Sequence, residues 1–245
     1  MLITRFAPSP TGPLHLGHAY SAMLAHDRAR AASGSFLLRI DDLDQARCRP
    51  GWEARIFDDL GWLGLDWPRP VIRQSTRLPR YRDATNTFWK QGLIYPCSCT
   101  RSDIRAAASA PQEGAPLHGP DGIIYPGTCR PKTPPTGAMP ADTVLRLDMA
   151  RACAKLDDPL IYKEKDTAVT PRNLPDTVGD VVLARRGMGA AYHLAVVLDD
   201  ADQGITHVIR GEDLAPATQI HVLLQRLLGL PTPAYHHHRL IRDET

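Results

Sequence analysis

Residues 5–18 read RFAPSPTGPLHLGH, and this stretch decides the fold. It continues an apolar opening at Leu2 and Ile3, and proline and glycine dominate its first half. Its second half passes into an apolar-periodic segment at residues 19–32. This order predicts a first β-strand, a Pro/Gly turn and a first helix.

The predicted turn would present backbone N–H groups at a helix N-terminus, where the helix dipole favours anions such as phosphate. We therefore expect a nucleotide at this position. His15 and His18 lie three residues apart, so on a helix they share a face and can both point to one phosphoryl group. Gly17 leaves room for a flat base or ribose to approach the backbone. Taken alone, the pattern also fits two solvated histidines in a first helical turn.

The composition is that of an ordinary globular protein. The chain has 245 residues, of which 29 are basic and 27 acidic, and its formal charge is +2. Because this charge is small, any contact with nucleic acid needs local clusters. The candidates, each of which could equally be a solvated surface residue, are Arg77, Arg80, Arg82, Arg185 and Arg186.

No apolar run approaches transmembrane length, and the N-terminus has a strand pattern and not that of a signal peptide. We therefore expect a cytoplasmic protein without membrane contact.

Strand and helix patterns alternate along the chain. Strand patterns are predicted at 36–40, 92–96, 143–149, 180–185 and 205–210, and helical patterns at 50–65, 77–91, 191–200 and 217–228. This alternation predicts an α/β fold with a parallel sheet and right-handed crossovers. Residues 150–175 are polar and poorly patterned.

Polar side chains are predicted at the sheet edge where α/β proteins bind ligands. Asp41 follows a strand directly and suits a cationic group, although its acidic run could also cap a helix. Tyr192, Arg210 and Glu212 fall at the same edge as the first turn. Arg5 and Arg210 together would suit a dicarboxylic amino acid, because a guanidinium group binds a carboxylate through two parallel N–H bonds. Each arginine could also form a structural salt bridge.

Periodicity disappears from residue 109 to 143, where proline and glycine are frequent, and this predicts an irregular insertion. Such a module usually needs a staple, and Cys97, Cys99 and Cys129 bracket it. Thiolates in a Cys-x-Cys spacing suit tetrahedral zinc, although free thiols are the alternative. The five cysteines are an odd number and do not indicate a disulfide framework. The histidines at 236–238 lie in a strand pattern, whose neighbours face opposite sides, so we expect no shared metal ion there.

The opening stretch resembles the HIGH signature of class I aminoacyl-tRNA synthetases, and specifically that of their glutamyl branch. The resemblance covers residues 4–242 and implies a Rossmann-like nucleotide-binding parallel sheet with an irregular zinc-stapled insertion. It divides the chain into residues 1–96 as the first half of the catalytic domain, 97–142 as the zinc-binding insertion and 143–245 as the second half.

The resemblance also implies which residues bind the substrates. His15 and His18 would be catalytic and would stabilise charge on the α-phosphate. Asp41 stands where the family commonly has a glutamate, so its contact with the substrate amino group would be longer or bridged by water. The implied glutamate ligands are Arg5, Ala7, Ser9, Asp41, Tyr192 and Arg210, and the implied ligands of ATP with Mg²⁺ are Thr11, His15, Gly17, His18 and Glu212.

Glutamyl-queuosine tRNA(Asp) synthetases, the short paralogues of this branch, carry Cys-x-Cys followed by Tyr-x-x-x-Cys as a zinc site. Tyr125 and Cys129 match the second half of that pattern. The resemblance thus implies a closed structural zinc site formed by Cys97, Cys99, Tyr125 and Cys129. Val196 stands where many full-length glutamyl-tRNA synthetases have asparagine, which fits the short paralogue.

The activity implied is ATP-dependent activation of L-glutamate to glutamyl-adenylate, followed by transfer to the queuosine base in the anticodon loop of tRNA(Asp). We expect a monomer. The alternatives are a catalytic fragment of an ordinary glutamyl-tRNA synthetase that charges the tRNA 3′ end, or a catalytically silent RNA-binding paralogue. The sequence stops at Thr245, before the second class I signature, the KMSKS loop. We interpret this as a truncation, and the absence of an anticodon-binding domain favours the short paralogue.

Overall fold

The structure is a computed structural model that describes residues 1–108 and 118–242. Its helices are α1 (Leu16–Ala31), α2 (Pro50–Trp62), α3 (Leu78–Lys90), α4 (Arg101–Ala108), α5 (Met149–Ala154), α6 (Leu174–Thr177), α7 (Tyr192–Asp202) and α8 (Thr218–Leu227). Its strands are β1 (Ile3–Phe6), β2 (Ser35–Ile40), β3 (Ile72–Arg73), β4 (Ile94–Cys97), β5 (His118–Gly119), β6 (Gly122–Ile123), β7 (Val144–Leu147), β8 (Tyr162–Glu164), β9 (Thr167–Val169), β10 (Val182–Ala184), β11 (His207–Gly211) and β12 (Ala234–His238).

A parallel arrangement of strands forms the centre of the protein, as the sequence predicts. β1 pairs with β2 and β2 with β3, while β11 pairs with β12 and β12 with β8, all in parallel. β11 lies beside β1, where the Thr206 N–H donates to the Ile3 carbonyl oxygen at 3.0 Å. β2 and β3 extend the arrangement to one side of β1, and β12 and β8 extend it to the other side of β11. The junction of β1 and β11 is therefore a topological switch point, where open α/β sheets bind their ligands.

The strand at 92–96 differs from the parallel prediction. β4 pairs in antiparallel fashion with β7, and β7 with β10, so these three strands form a separate sheet. The chain leaves β4 into the irregular segment and comes back beside it as β7. Such a return reverses the strand direction, whereas a parallel pair would need a crossover across the sheet.

The segment at 150–175 is more ordered than its pattern indicates. It contains α5, α6 and the antiparallel hairpin of β8 and β9, which turns at Lys165 with a positive φ of 55°. The hairpin is polar because it lies at the sheet edge and much of its surface remains exposed. The predicted irregular insertion contains the short hairpin of β5 and β6, while its residues 109–117 lie outside the described residues.

Small residues let α1 pack closely on the central strands. Ala22, Ala25 and Ala29 are buried in α1 and join a core cluster with apolar residues of β1, β2 and α2. A second and larger cluster fills the space between α3, α5, α7, α8 and the antiparallel sheet. This packing fixes the start of α1 beside the switch point. Among the described residues, no helix has the length and apolar character that crossing a membrane requires.

Candidate active site

A cleft of about 530 Å³ opens at the carboxyl ends of β1 and β11. We call it the central cleft. Its walls include the predicted residues Arg5, Ala7, Ser9, Thr11, His15, Gly17, His18, Asp41, Tyr192 and Arg210. Residues from widely separated parts of the sequence therefore meet at the switch point, and only Glu212 of the predicted substrate-binding set does not line the cleft.

Glu212 lies in the 3₁₀ turn Glu212–Leu214 and is exposed. Its carboxylate accepts a hydrogen bond from the backbone N–H of Leu240 at 3.3 Å. Successive residues of a 3₁₀ turn point about 120° apart, so the next residue, Asp213, faces the cleft instead. The position of Glu212 therefore favours a backbone contact over the predicted contact with ATP.

The two histidines of the opening stretch stack at the start of α1. Their ring centroids are 3.7 Å apart, and the planes differ by 25°. The backbone N–H of His15 donates to Nδ1 of His18 at 3.3 Å, so the proton of a neutral His18 is on Nε2. Burial, and after it the nearby His15, lowers the pKa of His18. His18 thus offers a neutral N–H donor rather than a positive charge.

Gly17 permits this stacking. A Cβ atom at position 17 would lie 3.1 Å from both Cε1 and Nδ1 of the His15 ring. Any larger residue would push the imidazole away from the start of the helix, so glycine here keeps the His15 ring folded over the first turn of α1.

Arg5 forms a buried ion pair behind the cleft wall. Its Nε and Nη2 atoms donate to the two oxygens of Asp200 at 3.0 and 3.2 Å. Asp200 also accepts from Nη1 of Arg39 at 2.6 Å. Arg5 therefore uses one edge of its guanidinium group for a structural pair, and the expected two-bond contact with a substrate carboxylate is not available from that edge.

Asp41 shares the same buried network. It accepts from Nε of Arg39 at 2.7 Å, and the Arg39 side chain is completely buried. Burial raises the pKa of Asp41 in spite of its pairing with Arg39. In contrast, Arg5 and Arg39 hold the pKa of Asp200 below its ordinary value, although burial alone would raise it. A second cation beside Asp41 would stabilise its ionised form.

Arg210 differs from Arg5 because no carboxylate of the described residues forms an ion pair with it. Its Nε donates to Nε2 of His237 at 3.1 Å, and Nη1 donates to Nδ1 of His221 at 3.2 Å. Nη2 donates to the Leu214 carbonyl at 3.1 Å and to the Thr218 hydroxyl at 2.9 Å. A buried arginine thus faces the cleft with neutral partners and an uncompensated charge.

A second cavity of about 690 Å³ adjoins the central cleft and shares Asp41 and Tyr192 with it. Arg47, Arg101 and Arg185 line this cavity. Tyr192 is 38% exposed, so its ring can contact occupants of both spaces.

The predicted arginine clusters divide into two groups. Arg77 donates to the fully buried Asp199 at 2.7 Å, and Arg80 pairs with Asp202 at 2.9 Å, so both are engaged in the protein. Arg82, Arg185 and Arg186 are exposed, and no ion pair involves them within the described residues. This second group therefore offers the more accessible charges of the predicted clusters to phosphates.

The structure brings Cys129 next to Cys97 and Cys99, the other two cysteines of the predicted metal site. Their sulfur atoms all lie within 4.8 Å of each other, and those of Cys99 and Cys129 are 3.4 Å apart. The Tyr125 hydroxyl lies 3.3 Å from the Cys99 sulfur and 3.5 Å from the Cys97 sulfur. In a tetrahedral zinc–thiolate site, sulfur atoms lie about 3.8 Å apart. The donor set therefore fits a metal ion.

The surroundings of this cluster favour thiolate at one of its cysteines. Burial alone would raise the pKa of Cys129, but hydrogen bonds from Tyr125 and its neighbours lower it to about 6. Burial raises the pKa of Tyr125, so the phenol oxygen is the weakest metal ligand of the four. The guanidinium of Arg146 lies 3.9 Å from the Tyr125 ring centroid and donates to the Cys97 sulfur at 3.3 Å. These contacts hold the tyrosine and cysteines in place.

The switch point between β1 and β11, with its paired histidines at the start of α1, defines the catalytic domain of a class I aminoacyl-tRNA synthetase. The family described as tRNA synthetases class I (E and Q), catalytic domain, matches residues 1–245. A glutamate-tRNA synthetase from Elizabethkingia anophelis superposes with a TM-score of 0.77 at 30% identity and covers the whole chain. A glutamate tRNA ligase from Elizabethkingia meningosepticum, in complex with its amino acid, superposes with a TM-score of 0.75 at 30% identity over the same range. The chain spans about half the length of both solved proteins, at 51% each.

Curated relatives specify the group further. A Glutamyl-Q tRNA(Asp) synthetase of Rhodobacter capsulatus is 61% identical over 99% of this chain and 88% of that protein. A Glutamyl-Q tRNA(Asp) synthetase of Nocardia farcinica is 45% identical over 98% of this chain and 72% of that protein. The chain therefore belongs to the class I (E and Q) tRNA synthetases, a family of ATP-dependent ligases, and within it to the group of the glutamyl-Q tRNA(Asp) synthetases.

Several residues of the site have no signal in the sequence. Asp199 and Asp200 end the predicted helical pattern at 191–200, and that pattern does not indicate that both are buried in α7 and bind arginines. Arg39 lies within a strand pattern and is fully buried. Charged residues inside apolar runs are the one available hint, because burial of a charge requires a partner. The partners themselves come from distant segments.

Proposed function

We propose that this protein activates L-glutamate with ATP to form glutamyl-adenylate and transfers the glutamyl group to the queuosine base of tRNA(Asp). The single observation that carries the first half is the uncompensated Arg210 in the same cleft as the stacked histidines. The second half is supported by the relatives, which are glutamyl-Q tRNA(Asp) synthetases over nearly the whole chain. Val196, a buried apolar residue in the cleft wall, agrees with the short-paralogue pattern.

The glutamate substrate binds to the wall of the central cleft around Arg210. One carboxylate of the substrate binds Arg210, with which no carboxylate of the described residues forms an ion pair, and the ammonium group binds Asp41, whose pKa burial raises. Arg5 contributes its long-range charge and the N–H groups that Asp200 does not use. Ala7, Ser9 and Tyr192 are the remaining members of the proposed glutamate site and line the same space.

The nucleotide lies at the start of α1. Thr11, Gly17 and the two histidines form this part of the wall, and the helix N-terminus favours the phosphates, which Mg²⁺ accompanies. In the activation step, an oxygen of the α-carboxylate forms a bond to the α-phosphorus while the bond to the pyrophosphate oxygen breaks. Charge grows on the phosphoryl oxygens, and the Nε2–H of His18 donates to them. Positioning and hydrogen-bond donation thus account for the acceleration.

We propose a structural zinc ion as the occupant of the cysteine cluster. Cys97, Cys99 and Cys129 supply three sulfur ligands, and Tyr125 is the fourth and weakest ligand. Metal binding would link the end of β4, at Cys97 and Cys99, to the loop that contains Cys129. It would also supply folding free energy to a segment with little apolar core. The ion has no part in the transfer chemistry.

The acceptor RNA approaches through the second cavity. This cavity opens beside Tyr192, and Arg101 and Arg185 line its wall, where their positive charges would contact RNA phosphates. Phosphate contacts orient an RNA without reading its sequence, so they suit a substrate whose modified base is chosen inside the cleft. We propose that the protein is a monomer located in the cytoplasm.

An ordinary glutamyl-tRNA synthetase activity is the second candidate, because the solved neighbours are glutamate–tRNA ligases. ATP–pyrophosphate exchange on the full-length protein separates the candidates. Glutamate-dependent exchange without RNA supports the queuosine enzyme, and exchange that requires tRNA supports the ordinary synthetase. No exchange under either condition indicates a catalytically silent RNA-binding protein.

The acceptor is tested by transfer of labelled glutamate. We expect transfer to tRNA(Asp) that carries queuosine, and none to the same tRNA with guanosine at that position. tRNA(Glu) serves as the second control. Labelling of tRNA(Glu) at its 3′ end would contradict the proposed acceptor.

A further inference from the structure

Arg210 is surrounded by three buried histidines that come from three elements of the fold. His193 lies in α7, His221 in α8 and His237 in β12, and all three are buried. His221 and His237 each contact the guanidinium group, and His193 contacts His221. None of these histidines belongs to the proposed glutamate or ATP sites.

The direction of each hydrogen bond on one side of Arg210 follows from chemistry. A guanidinium N–H can only donate, so Nδ1 of His221 accepts at 3.2 Å. A neutral imidazole has one N–H, which in His221 must then be on Nε2, and this N–H donates to Nδ1 of His193 at 3.1 Å. The remaining Nε2–H of His193 points to a carboxylate oxygen of Asp121 at 3.3 Å.

The same reasoning fixes the other side. Nε2 of His237 accepts from Nε of Arg210 at 3.1 Å, so the proton of His237 is on Nδ1. This N–H donates to an oxygen of Glu164 at 2.6 Å, while the other oxygen of Glu164 accepts the backbone N–H of His237 at 2.9 Å. Glu164 thereby holds both the tautomer and the backbone of His237.

This arrangement leaves the charge of Arg210 available. Its nearest partners are neutral imidazoles, a hydroxyl and a carbonyl, while the carboxylates lie one or two rings away. Within the described residues, four of its five N–H groups are engaged, which leaves one on Nη1. In Arg5, by contrast, a carboxylate, that of Asp200, contacts the guanidinium directly through two hydrogen bonds.

We propose that His221 and His237 are positioning residues, which hold Arg210 oriented and unneutralised so that its free N–H and its charge select a substrate carboxylate. This inference rests on the proposed function, because it takes the carboxylate to be that of the amino acid substrate. His193, Asp121 and Glu164 act through the two histidines by fixing their tautomers.

The proposed positioning role of His221 requires that its imidazole is neutral. Burial, followed by the charge of Arg210, lowers the pKa of His221 well below its ordinary value. Burial likewise lowers the pKa of His237, which Glu164 partly offsets. A protonated His221 would lose its acceptor atom and place a second cation against Arg210.

The test compares two substitutions at His221 with a matched histidine outside the network. H221L removes the acceptor and leaves Nδ1 of His193 without its donor, whereas the side-chain oxygen of H221N can still accept from Arg210. H236L is the control, because His236 lies in the same strand as His237 but bonds to Arg28 at the surface. Glutamate affinity is measured by calorimetry and its KM by ATP–pyrophosphate exchange, with thermal unfolding as the check on folding.

We expect H221L to weaken glutamate binding about 10- to 100-fold, as for loss of a buried hydrogen bond to a charged group, with the KM for ATP unchanged. H221N should restore binding to within about 3-fold, and H236L should behave as the wild type. A folded H221L protein with wild-type glutamate affinity overturns the inference, as does an H221N protein no better than H221L.

A second readout does not depend on activity. Nitrogen-15 NMR of the imidazoles near pH 7 should find the proton on Nε2 in His193 and His221 and on Nδ1 in His237. Any other tautomer, or a charged His221, contradicts the inference. If these tautomers are found but the wild-type protein neither binds nor activates glutamate, the hydrogen-bond arrangement stands, while the proposed function and the substrate role of Arg210 fail together.

Discussion

Replacement of Arg39 by methionine removes the cation at the centre of the buried network. The Arg39 side chain has no exposed surface, and it donates to Asp41 at 2.7 Å, to Asp200 at 2.6 Å and to Gln203 at 3.2 Å. Methionine fills a similar volume without the charge. Asp200 keeps Arg5 as its partner, but Asp41 loses the one arginine that pairs with it in the described residues.

The magnitude follows from the uncompensated Asp41. Loss of one partner from a buried pair costs about 3–5 kcal/mol of unfolding free energy. For a protein of this size, that corresponds to a fall in Tm of about 6–20 °C. Because burial already raises the pKa of Asp41, the carboxyl group can relieve part of the cost by binding a proton. The loss should therefore be larger at pH 7 than at pH 5.

Urea unfolding at pH 7 and pH 5 measures the effect. R55M is the matched control, because Arg55 is 64% exposed and lies 4.0 Å from Asp59. That substitution should cost less than about 0.5 kcal/mol. The double variant R39M/D41N removes the unpaired charge and should recover a large part of the lost stability. A loss below about 1 kcal/mol for R39M at pH 7 would contradict this prediction, because Asp41 would then have to be well solvated.

Three further predictions follow from the other parts of the site. C129S should reduce the zinc content of the purified protein from one ion per chain to near zero, while C153S keeps it; equal zinc content in both variants would contradict the proposed ligand set. Burial lowers the pKa of His221, so near pH 6.5 the unfolded chain binds a proton at this histidine that the folded chain does not. The free energy of unfolding should therefore fall as the pH decreases below about 6.5, by up to about 1.4 kcal/mol per pH unit. H221N should remove that component of the slope in urea unfolding at a series of pH values, and an unchanged slope would count against it. R185A should weaken tRNA binding and reduce its salt slope by about 1, with glutamate activation unchanged, whereas the exposed Arg226 replaced by alanine should not; the same slope for both variants would exclude Arg185 as a phosphate contact.

The strand–turn–helix at the N-terminus could be predicted from the sequence because its signals are local. The apolar run of β1, the Pro/Gly turn and the histidine spacing all lie within residues 1–32, and the structure places β1 and α1 there. The convergence of Asp41 and Arg210 was also predictable, because Asp41 follows β2 directly, Arg210 lies at the end of β11, and parallel strands share one edge.

The rest depends on contacts between distant segments. The pairing of Arg5 with Asp200 and that of Arg39 with Asp200 join residues 195 and 161 positions apart, and no local pattern encodes them. The antiparallel direction of β4 depends on where the irregular segment returns, which composition does not reveal. The histidines around Arg210 look like ordinary residues of an apolar helix and strand, and their meeting requires α7, α8 and β12 to pack together.

We propose that one cleft holds a nucleotide beside an arginine-bound diacid. The most direct test of this proposal is a crystal structure of the protein with a non-hydrolysable glutamyl-adenylate analogue. We expect the adenosine beside Thr11 and the start of α1, the phosphate mimic within hydrogen-bond distance of Nε2 of His18, the ammonium group beside Asp41 and one carboxylate on Nη1 of Arg210. An analogue bound outside this cleft, or one whose carboxylates both avoid Arg210, would contradict it.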